Sequence, residues 1–165
     1  AFALGFGTTQ LGYARGDFLQ LQLGAILFLA VGIIAAGWLS DRTSPARVLM
    51  LGSLATVAVG AAMGPMMQGG TAGVFAFLSL SLFVMGFVYG PLGAFLPGLF
   101  PARVRYTGAS VAFNLGGIIG GGLTPVIGQA LTAQYGIGAV GLYLGGAALV
   151  SVIGLALLPK GAAAE

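Results

Sequence analysis

Long apolar runs without a single charge alternate with short polar connectors along this 165-residue chain. Five of the runs reach about 20 residues, the length that an α-helix needs to cross ~30 Å of hydrocarbon. Lipid offers the backbone no hydrogen-bond partners, and no run shows the alternation that is typical of a barrel strand. The pattern therefore predicts an all-α membrane protein, a multi-pass helical bundle with spans at residues 18–39, 48–67, 73–100, 106–131 and 137–158.

A further apolar stretch, residues 1–12, is too short to cross a bilayer on its own. We expect it to be the end of a sixth span whose beginning lies before residue 1. The length of the chain predicts one domain, so residues 1–165 are interpreted as a single transmembrane domain of five full spans and one partial span.

The amino-acid composition argues against several classes of function. Charged residues make up 5% of the chain, against about 25% in an average soluble domain. The chain contains no His and no Cys, which excludes imidazole catalysis, disulfides and the usual zinc ligands. Asp17 and Asp41 both fall at span ends, so no carboxylate pair is available for acid–base chemistry. We therefore predict no enzyme activity, no metal, no cofactor and no nucleic-acid partner.

The basic residues fall in alternate connectors. Short cytoplasmic loops accumulate Lys and Arg, so this alternation predicts that the basic connectors face the cytoplasm. The connectors between them are neutral, or carry Arg15 balanced by Asp17. Trp38 and Tyr106 lie at the same span ends as the basic residues, where aromatic rings prefer the membrane interface. The residues assigned to the cytoplasmic side are Arg42, Arg47, Arg103, Arg105 and Lys160.

Two spans carry stripes of small or hydroxylated residues on one helix face, a pattern that favours close packing of helices. In the third span the stripe consists of Ser79, Gly86, Gly90, Gly93 and Pro97. In the fourth it consists of Thr107, Ser110, Asn114, Gly117, Gly121, Thr124 and Gly128.

Prolines within spans remove amide donors and crowd the preceding turn. We therefore predict helix kinks at Pro91, Pro97 and Pro125. Polar side chains at membrane depth prefer a bundle interior or a water-filled cavity. Tyr89 and Asn114 are on this ground candidates for a cavity wall, and the alternative for each is a hydrogen bond that serves helix packing.

Three segments resemble the major facilitator superfamily. "GWLSDRTSPAR" (residues 37–47) resembles the signature loop of that superfamily, between the second and third helices of one half. "GPLGAFLPGLFPARVRYTGASVAFNLGGIIGGGLTP" (90–125) is similar to the bend between helices ten and eleven in the metabolite–proton symporter branch. "ALGFGTTQLGYAR" (3–15) resembles the end of helix seven there. The resemblance implies the carboxyl-terminal half of a twelve-helix carrier, with the amino-terminal half as its partner.

The same resemblance implies a function. Carriers of this branch are secondary active transporters, so we expect proton-coupled symport of a small organic acid or zwitterionic metabolite by alternating access. Their helices seven, eight, ten and eleven form cavity walls, which adds Gln10 to Tyr89 and Asn114 as a candidate. The implied partners are a metabolite, protons and the lipid bilayer, and the implied location is the cell (inner) membrane. A structural or assembly subunit without transport activity is the alternative, and a passive homo-oligomeric channel is a third possibility.

The resemblance also implies a cytoplasmic gate made of ion pairs. Asp41, Arg42, Arg47, Arg103 and Arg105 are the candidates, and each arginine has the alternative role of a topology anchor. The chain departs from the family pattern in two places. Gly98 replaces a glutamate of the family, and residues 44–46 (Ser-Pro-Ala) replace Gly-Arg-Arg.

Overall fold

The computed structural model describes residues 2–158, and this part of the chain is helical between short connectors. The candidate cytoplasmic residue Lys160 lies outside the described residues. The elements are α1 (Phe2–Thr9), α2 (Arg15–Arg42), α3 (Pro45–Met67), α4 (Gly70–Gly98), α5 (Arg105–Gly117), a π-helical segment (Ile118–Leu123), α6 (Thr124–Tyr135) and α7 (Ile137–Ala156).

Five helical stretches are long and apolar enough to cross a membrane. Four are α2, α3, α4 and α7, and the fifth is the continuous stretch Arg105–Tyr135 formed by α5, the π-helical segment and α6. We call Arg105–Tyr135 the broken span. Each of the five coincides with one predicted span to within a few residues. The predicted fold class, an all-α multi-pass membrane bundle, is confirmed.

Local chemistry explains where the helices begin and end. Ser44 caps α3 by accepting a hydrogen bond from the Arg47 amide, and Pro45 occupies the first turn, where no amide donor is required. Gly136 separates the broken span from α7 with a φ of 78°, a conformation that favours glycine. The turn between them is therefore a single residue long.

Helices α2 and α4 lie side by side in a parallel orientation. Gly24 lies against Phe75, and Gly90 lies against Ile33 and Ala36 further along both helices. Their closest approach is at Gly32 and Gly86, where an added Cβ on either residue would overlap a backbone carbonyl of the other helix. In lipid, such small residues let backbones approach and gain van der Waals contact.

Helices α3 and α7 form a second close pair, in antiparallel orientation. Gly60 and Gly141 face each other, and a Cβ on Gly141 would overlap the carbonyl of Gly60. Gly64 lies near Gly138, whereas the later Gly145 lies near the earlier Val57. The residue numbers therefore run in opposite directions along the two helices.

These directions place both basic connectors at one end of the bundle. Because α2 and α4 are parallel, residues 43–44 and 99–104 follow their carboxyl ends on the same side. We call this side the basic end and the opposite side the neutral end. At the neutral end, the Tyr13 hydroxyl lies 3.1 Å from the Thr71 hydroxyl oxygen. The apolar core also lies toward the neutral end, around Phe18, Met63, Met67, Val74, Phe77 and Ile137.

The prolines behave differently from one another. Pro91 is fully buried inside α4, which continues as an α-helix through it. Pro97 lies in the last turn of the same helix. Pro125 lies in the first turn of α6, directly after the π-helical segment. The π-helical segment has a different hydrogen-bonding pattern in the turn before Pro125. In an unbroken α-helix, the proline ring would clash with a carbonyl of that turn.

Candidate functional site

The clearest candidate site is a groove between α4 and the broken span, with a volume of about 440 Å³. Tyr89 on α4 forms one wall, and its side chain is 49% exposed. Its ring meets Phe113 of α5 edge-to-face, with ring centroids 6.4 Å apart at 82°. This orientation suits the quadrupoles of two aromatic rings and fixes the direction of the phenol. We call this groove the Tyr89 groove.

The floor of the Tyr89 groove consists of glycines. Gly116, Gly117, Gly120 and Gly121 line it, and the last two belong to the π-helical segment. A Cβ added at any of these four would meet nothing within 4 Å in the described residues. Within the described residues, Gly117 and Gly121 do not pack against another helix, so the expected packing of the stripe is not seen at these two positions. The broken span lies at the periphery of the bundle, so its glycines expose backbone to the groove instead.

Other stripe members do make contacts. The ring of Phe2 packs against Gly128, and the Thr124 hydroxyl lies 3.4 Å from the hydroxyl of Tyr143 on α7. Tyr143 was not among the sequence candidates, because nothing in the pattern of the last span distinguishes it. These contacts hold the second half of the broken span against α1 and α7.

Asn114 directs its side chain along its own helix. Its Nδ2 donates to the Ser110 carbonyl oxygen at 2.8 Å and to the Ser110 hydroxyl at 3.4 Å. The residue is exposed, one turn from the glycine floor. Its carboxamide oxygen is thus not needed for this local bond and can accept a hydrogen bond from a ligand.

Gln10 lines a different groove, of about 290 Å³, between α1 and α6. The carboxamide of Gln129 and the hydroxyls of Thr9 and Thr132 line it with Gln10, beside the stacked rings of Phe2 and Phe6. Gln129 was missed by the sequence analysis, although its spacing of three from Thr132 on one helix face was a usable signal. The structure thus describes Gln10 and Tyr89 in separate grooves, and one cavity shared by Gln10, Tyr89 and Asn114 stays a prediction.

Two serines of α4 lack hydrogen-bond partners within the described residues. Ser79 is 7% exposed, and Ser81 lines an apolar groove of about 320 Å³ together with Tyr89. A buried hydroxyl without a partner costs free energy. Tyr89 lines both this apolar groove and the Tyr89 groove.

At the basic end, the arginines contact neighbouring aromatic and backbone groups. The Arg42 guanidinium carbon lies 3.9 Å from the ring centroid of Trp38, a cation–π contact. Arg105 Nε donates to the Phe100 carbonyl oxygen at 3.4 Å. The gate role of these residues, Arg47, Arg103 and Asp41 stays a prediction. Within residues 2–158, no group of three or more His, Cys, Asp or Glu side chains is placed to hold a metal ion.

Comparison with known proteins shows the family to which the chain belongs. The chain is 39% identical over 149 residues to the inner membrane metabolite transport protein YhjE of Escherichia coli, covering 89% of this chain and 34% of that protein. It is 31% identical over 139 residues to the citrate-proton symporter of Klebsiella pneumoniae, covering 82% of this chain and 31% of the symporter. It is 29% identical over 168 residues to the shikimate transporter of Escherichia coli, covering 97% of this chain and 37% of that transporter. The chain belongs to the metabolite–proton symporter branch of the major facilitator superfamily.

No family profile and no solved structure matches the chain. The chain spans about a third of the length of the curated relatives it matches. This share fits one half of a twelve-helix major facilitator carrier. The relatives are named transport proteins, which points to a transporter family rather than to an enzyme family.

Proposed function

We propose that this chain is the carboxyl-terminal half of a secondary active transporter that couples proton movement to symport of a small organic acid or zwitterionic metabolite. The observation that carries the proposal is the similarity over 82–97% of the chain to a citrate-proton symporter and a shikimate transporter. Both named substrates are carboxylic acids. A proline/betaine transporter of Salmonella typhimurium, 28% identical over 107 residues, extends the substrate class to zwitterions.

The Tyr89 groove forms part of the substrate cavity in this proposal. Its volume of about 440 Å³ accommodates a small metabolite. The glycine floor lets a ligand approach the backbone, and the Tyr89 phenol and the Asn114 carboxamide offer hydrogen bonds to carboxylate or hydroxyl oxygens. The groove holds no ionisable group other than the phenol, so the charge that balances an anionic substrate comes from the other half of the carrier.

Gln10 belongs to the same cavity. Its groove and the Tyr89 groove both run along the broken span, one beside α6 and the other beside α5 and the π-helical segment. In alternating access, two halves rock about a site near the bilayer midplane. The amino-terminal half closes both grooves into one chamber that contains Gln10, Tyr89 and Asn114.

The proton-binding group lies outside this chain. No Asp, Glu, Lys, Arg or His occurs within residues 18–39, 48–67, 73–100, 106–131 or 137–158. Proton coupling runs through an intramembrane ionisable side chain, and hydroxyls and carboxamides do not titrate near neutral pH. The amino-terminal half therefore supplies the coupling residue, and this chain supplies a wall of the cavity.

The basic end faces the cytoplasm of the cell (inner) membrane. Four arginines and one aspartate lie at that end, and the connectors at the neutral end carry at most a balanced pair. Asp41, Arg42, Arg47, Arg103 and Arg105 contribute to a cytoplasmic gate there. The test is labelling of Ser44→Cys and Gln68→Cys, since the chain contains no native cysteine. An impermeant thiol reagent added from outside labels Q68C and leaves S44C unmodified; equal labelling of both contradicts the orientation.

The function itself is tested with the full-length carrier in proteoliposomes. Uptake of a panel of labelled hydroxy acids, dicarboxylates and betaines is followed with and without an imposed inward proton gradient. Saturable uptake of one class that the gradient accelerates supports the proposal. Uptake that is unaffected by the gradient contradicts proton coupling, and absence of uptake for the whole panel favours the structural-subunit alternative.

A further inference from the structure

A further groove opens at the basic end of the bundle, beyond the Tyr89 groove along the same pair of helices. It has a volume of about 380 Å³ and is lined by Pro97, Arg105, Tyr106, Ala109 and Ser110. The end of α4 forms one wall and the first two turns of α5 form the other. We call it the Arg105 groove. It is the one place at this end where a guanidinium borders a cavity among those described.

The exposed Arg105 side chain uses few of its hydrogen-bond donors within the described residues. Within the described residues its guanidinium makes one hydrogen bond, from Nε to the Phe100 carbonyl oxygen at 3.4 Å. A guanidinium has five N–H donors, and its two terminal amino groups form a fork that matches a phosphate. Ser110 adds a donor, because its hydroxyl oxygen accepts from Asn114 Nδ2 and its own proton is left for another acceptor.

Two exposed aromatic side chains indicate that the groove lies near the level of the lipid headgroups. Tyr106, on its rim, is 93% exposed, and Trp38 at the same end of the bundle is 57% exposed. Exposed aromatic rings at span ends mark the membrane–water interface. Arg105 borders an apolar wall that Pro97 and Ala109 provide, whereas Arg42 lies over the ring of Trp38.

We propose that the Arg105 groove binds the headgroup phosphate of an anionic phospholipid, with the start of an acyl chain along Pro97 and Ala109. Charge complementarity carries the choice of ligand: the basic end holds four arginines against one aspartate, and basic pockets between helices at the cytoplasmic face favour anionic headgroups. Arg103, two residues before Arg105, adds to this attraction and disfavours a headgroup with its own cation. The proposal does not depend on the transported substrate.

The test is native mass spectrometry of the full-length carrier in detergent, titrated with phosphatidylglycerol. We expect Arg105→Gln to weaken retention of phosphatidylglycerol about fivefold, the effect of losing one arginine near an anionic surface. Ala109→Leu, which fills the groove without changing any charge, is expected to weaken retention to a similar extent. Arg15→Gln is the matched control, since Arg15 is an exposed arginine at the neutral end, and it retains the lipid like the wild type. The melting temperature of each variant in lipid-free detergent verifies that it is folded.

Several results overturn the proposal. If R105Q retains phosphatidylglycerol as the wild type does, Arg105 does not contact the lipid. If A109L does so, the lipid binds through surface charge alone and not in the groove. Equal retention of phosphatidylcholine contradicts the preference for anionic lipid. Displacement of the lipid by millimolar inorganic phosphate identifies an anion site that does not recognise lipid. Loss of lipid in R15Q equal to that in R105Q shows that binding is not confined to the basic end.

Discussion

The third and fourth predicted spans carry the same kind of small-residue stripe, and the structure uses the two stripes in opposite ways. On α4, Gly86 and Gly90 lie against the backbone of α2, so closely that a Cβ at Gly86 would overlap the Leu29 carbonyl. On the broken span, Gly116 to Gly122 meet nothing within 4 Å at any glycine position. Gly86 and Gly90 thus close a helix pair, whereas the glycines at the centre of the broken span line an open groove.

The difference lies in what surrounds each stripe. Helix α4 has α2 on one side and α3 on another, and Gly86 and Gly90 are covered by the α2 backbone, whereas Gly93 meets nothing within 4 Å. Neighbouring helices cover the broken span much less: 6% of its most apolar 18-residue stretch is buried, against 33% of the corresponding stretch of α4. Glycines without a covering helix weaken the α-helical pattern, and the π-helical segment Ile118–Leu123 lies among them. Helices α2, α3, α4 and α7 thus form a closely packed scaffold, and the broken span is the least buried of the five spans in the described residues.

The largest expected effect concerns the open side of the broken span. Residues 1–165, reconstituted alone in proteoliposomes, are expected to show no saturable, gradient-driven uptake. The Tyr89 groove has no second half to close against, and none of the five spans contains a group that titrates near neutral pH. Uptake of labelled metabolite with an imposed pH gradient is the measurement, and the full-length carrier is the positive control. Saturable uptake by the fragment alone contradicts this prediction and requires a homodimeric carrier.

A matched pair of substitutions tests the two stripes directly. Gly86→Ala forces a Cβ into the α2 backbone, and overpacking of this kind typically costs about 1–3 kcal/mol. Gly120→Ala adds a Cβ where nothing lies within 4 Å, so the melting temperature of the purified carrier is expected to stay within a degree or two of wild type. Thermal unfolding followed by size-exclusion chromatography compares them. Equal destabilisation of both variants contradicts the division into scaffold and open span.

The same groove can be narrowed without disturbing the scaffold. Gly121→Val places a branched side chain on the floor of the Tyr89 groove, where the substrate cavity is proposed. We expect KM for uptake to rise about tenfold with little change in melting temperature, equivalent to about 1.4 kcal/mol of lost binding. Gly154→Val is the control, because Gly154 on α7 also meets nothing within 4 Å and lies outside the described grooves. An unchanged KM in G121V shows that the substrate does not bind in the Tyr89 groove.

The smallest effect is expected at Asn114, next to the groove. Asn114→Ala removes a hydrogen bond to the Ser110 carbonyl within one helix and, in the proposed cavity, one hydrogen bond to substrate. Transport is expected to fall about fivefold, since a neutral hydrogen bond is worth about 1 kcal/mol, and the melting temperature is expected to change less than in G86A. Wild-type uptake kinetics in N114A assign this side chain to helix packing.

Much of the architecture was predictable from the sequence, because it depends on local properties. Span lengths follow from uninterrupted apolar runs, and the grouping of basic connectors at one end follows from antiparallel succession of the helices. The start of α3 follows from Ser44 and Pro45, whose chemistry acts within a single turn. Membership of the transporter family rests on contiguous segments, such as residues 90–125, and no long-range contact is needed to identify them.

The tertiary structure alone decided which helices pair and which glycines are covered. The chain has 31 glycines, and a glycine at a helix crossing is identical in sequence to one beside an open groove. Nothing local distinguishes Gly86 from Gly121, because the atom that would overlap belongs to another helix. For the same reason the sequence did not show that Gln10 lies beside Gln129, which is on an element distant in sequence, or that Tyr143 lies beside Thr124 of the preceding helix. Spans and charges are encoded residue by residue, whereas helix contacts in lipid depend on how closely whole backbones can approach.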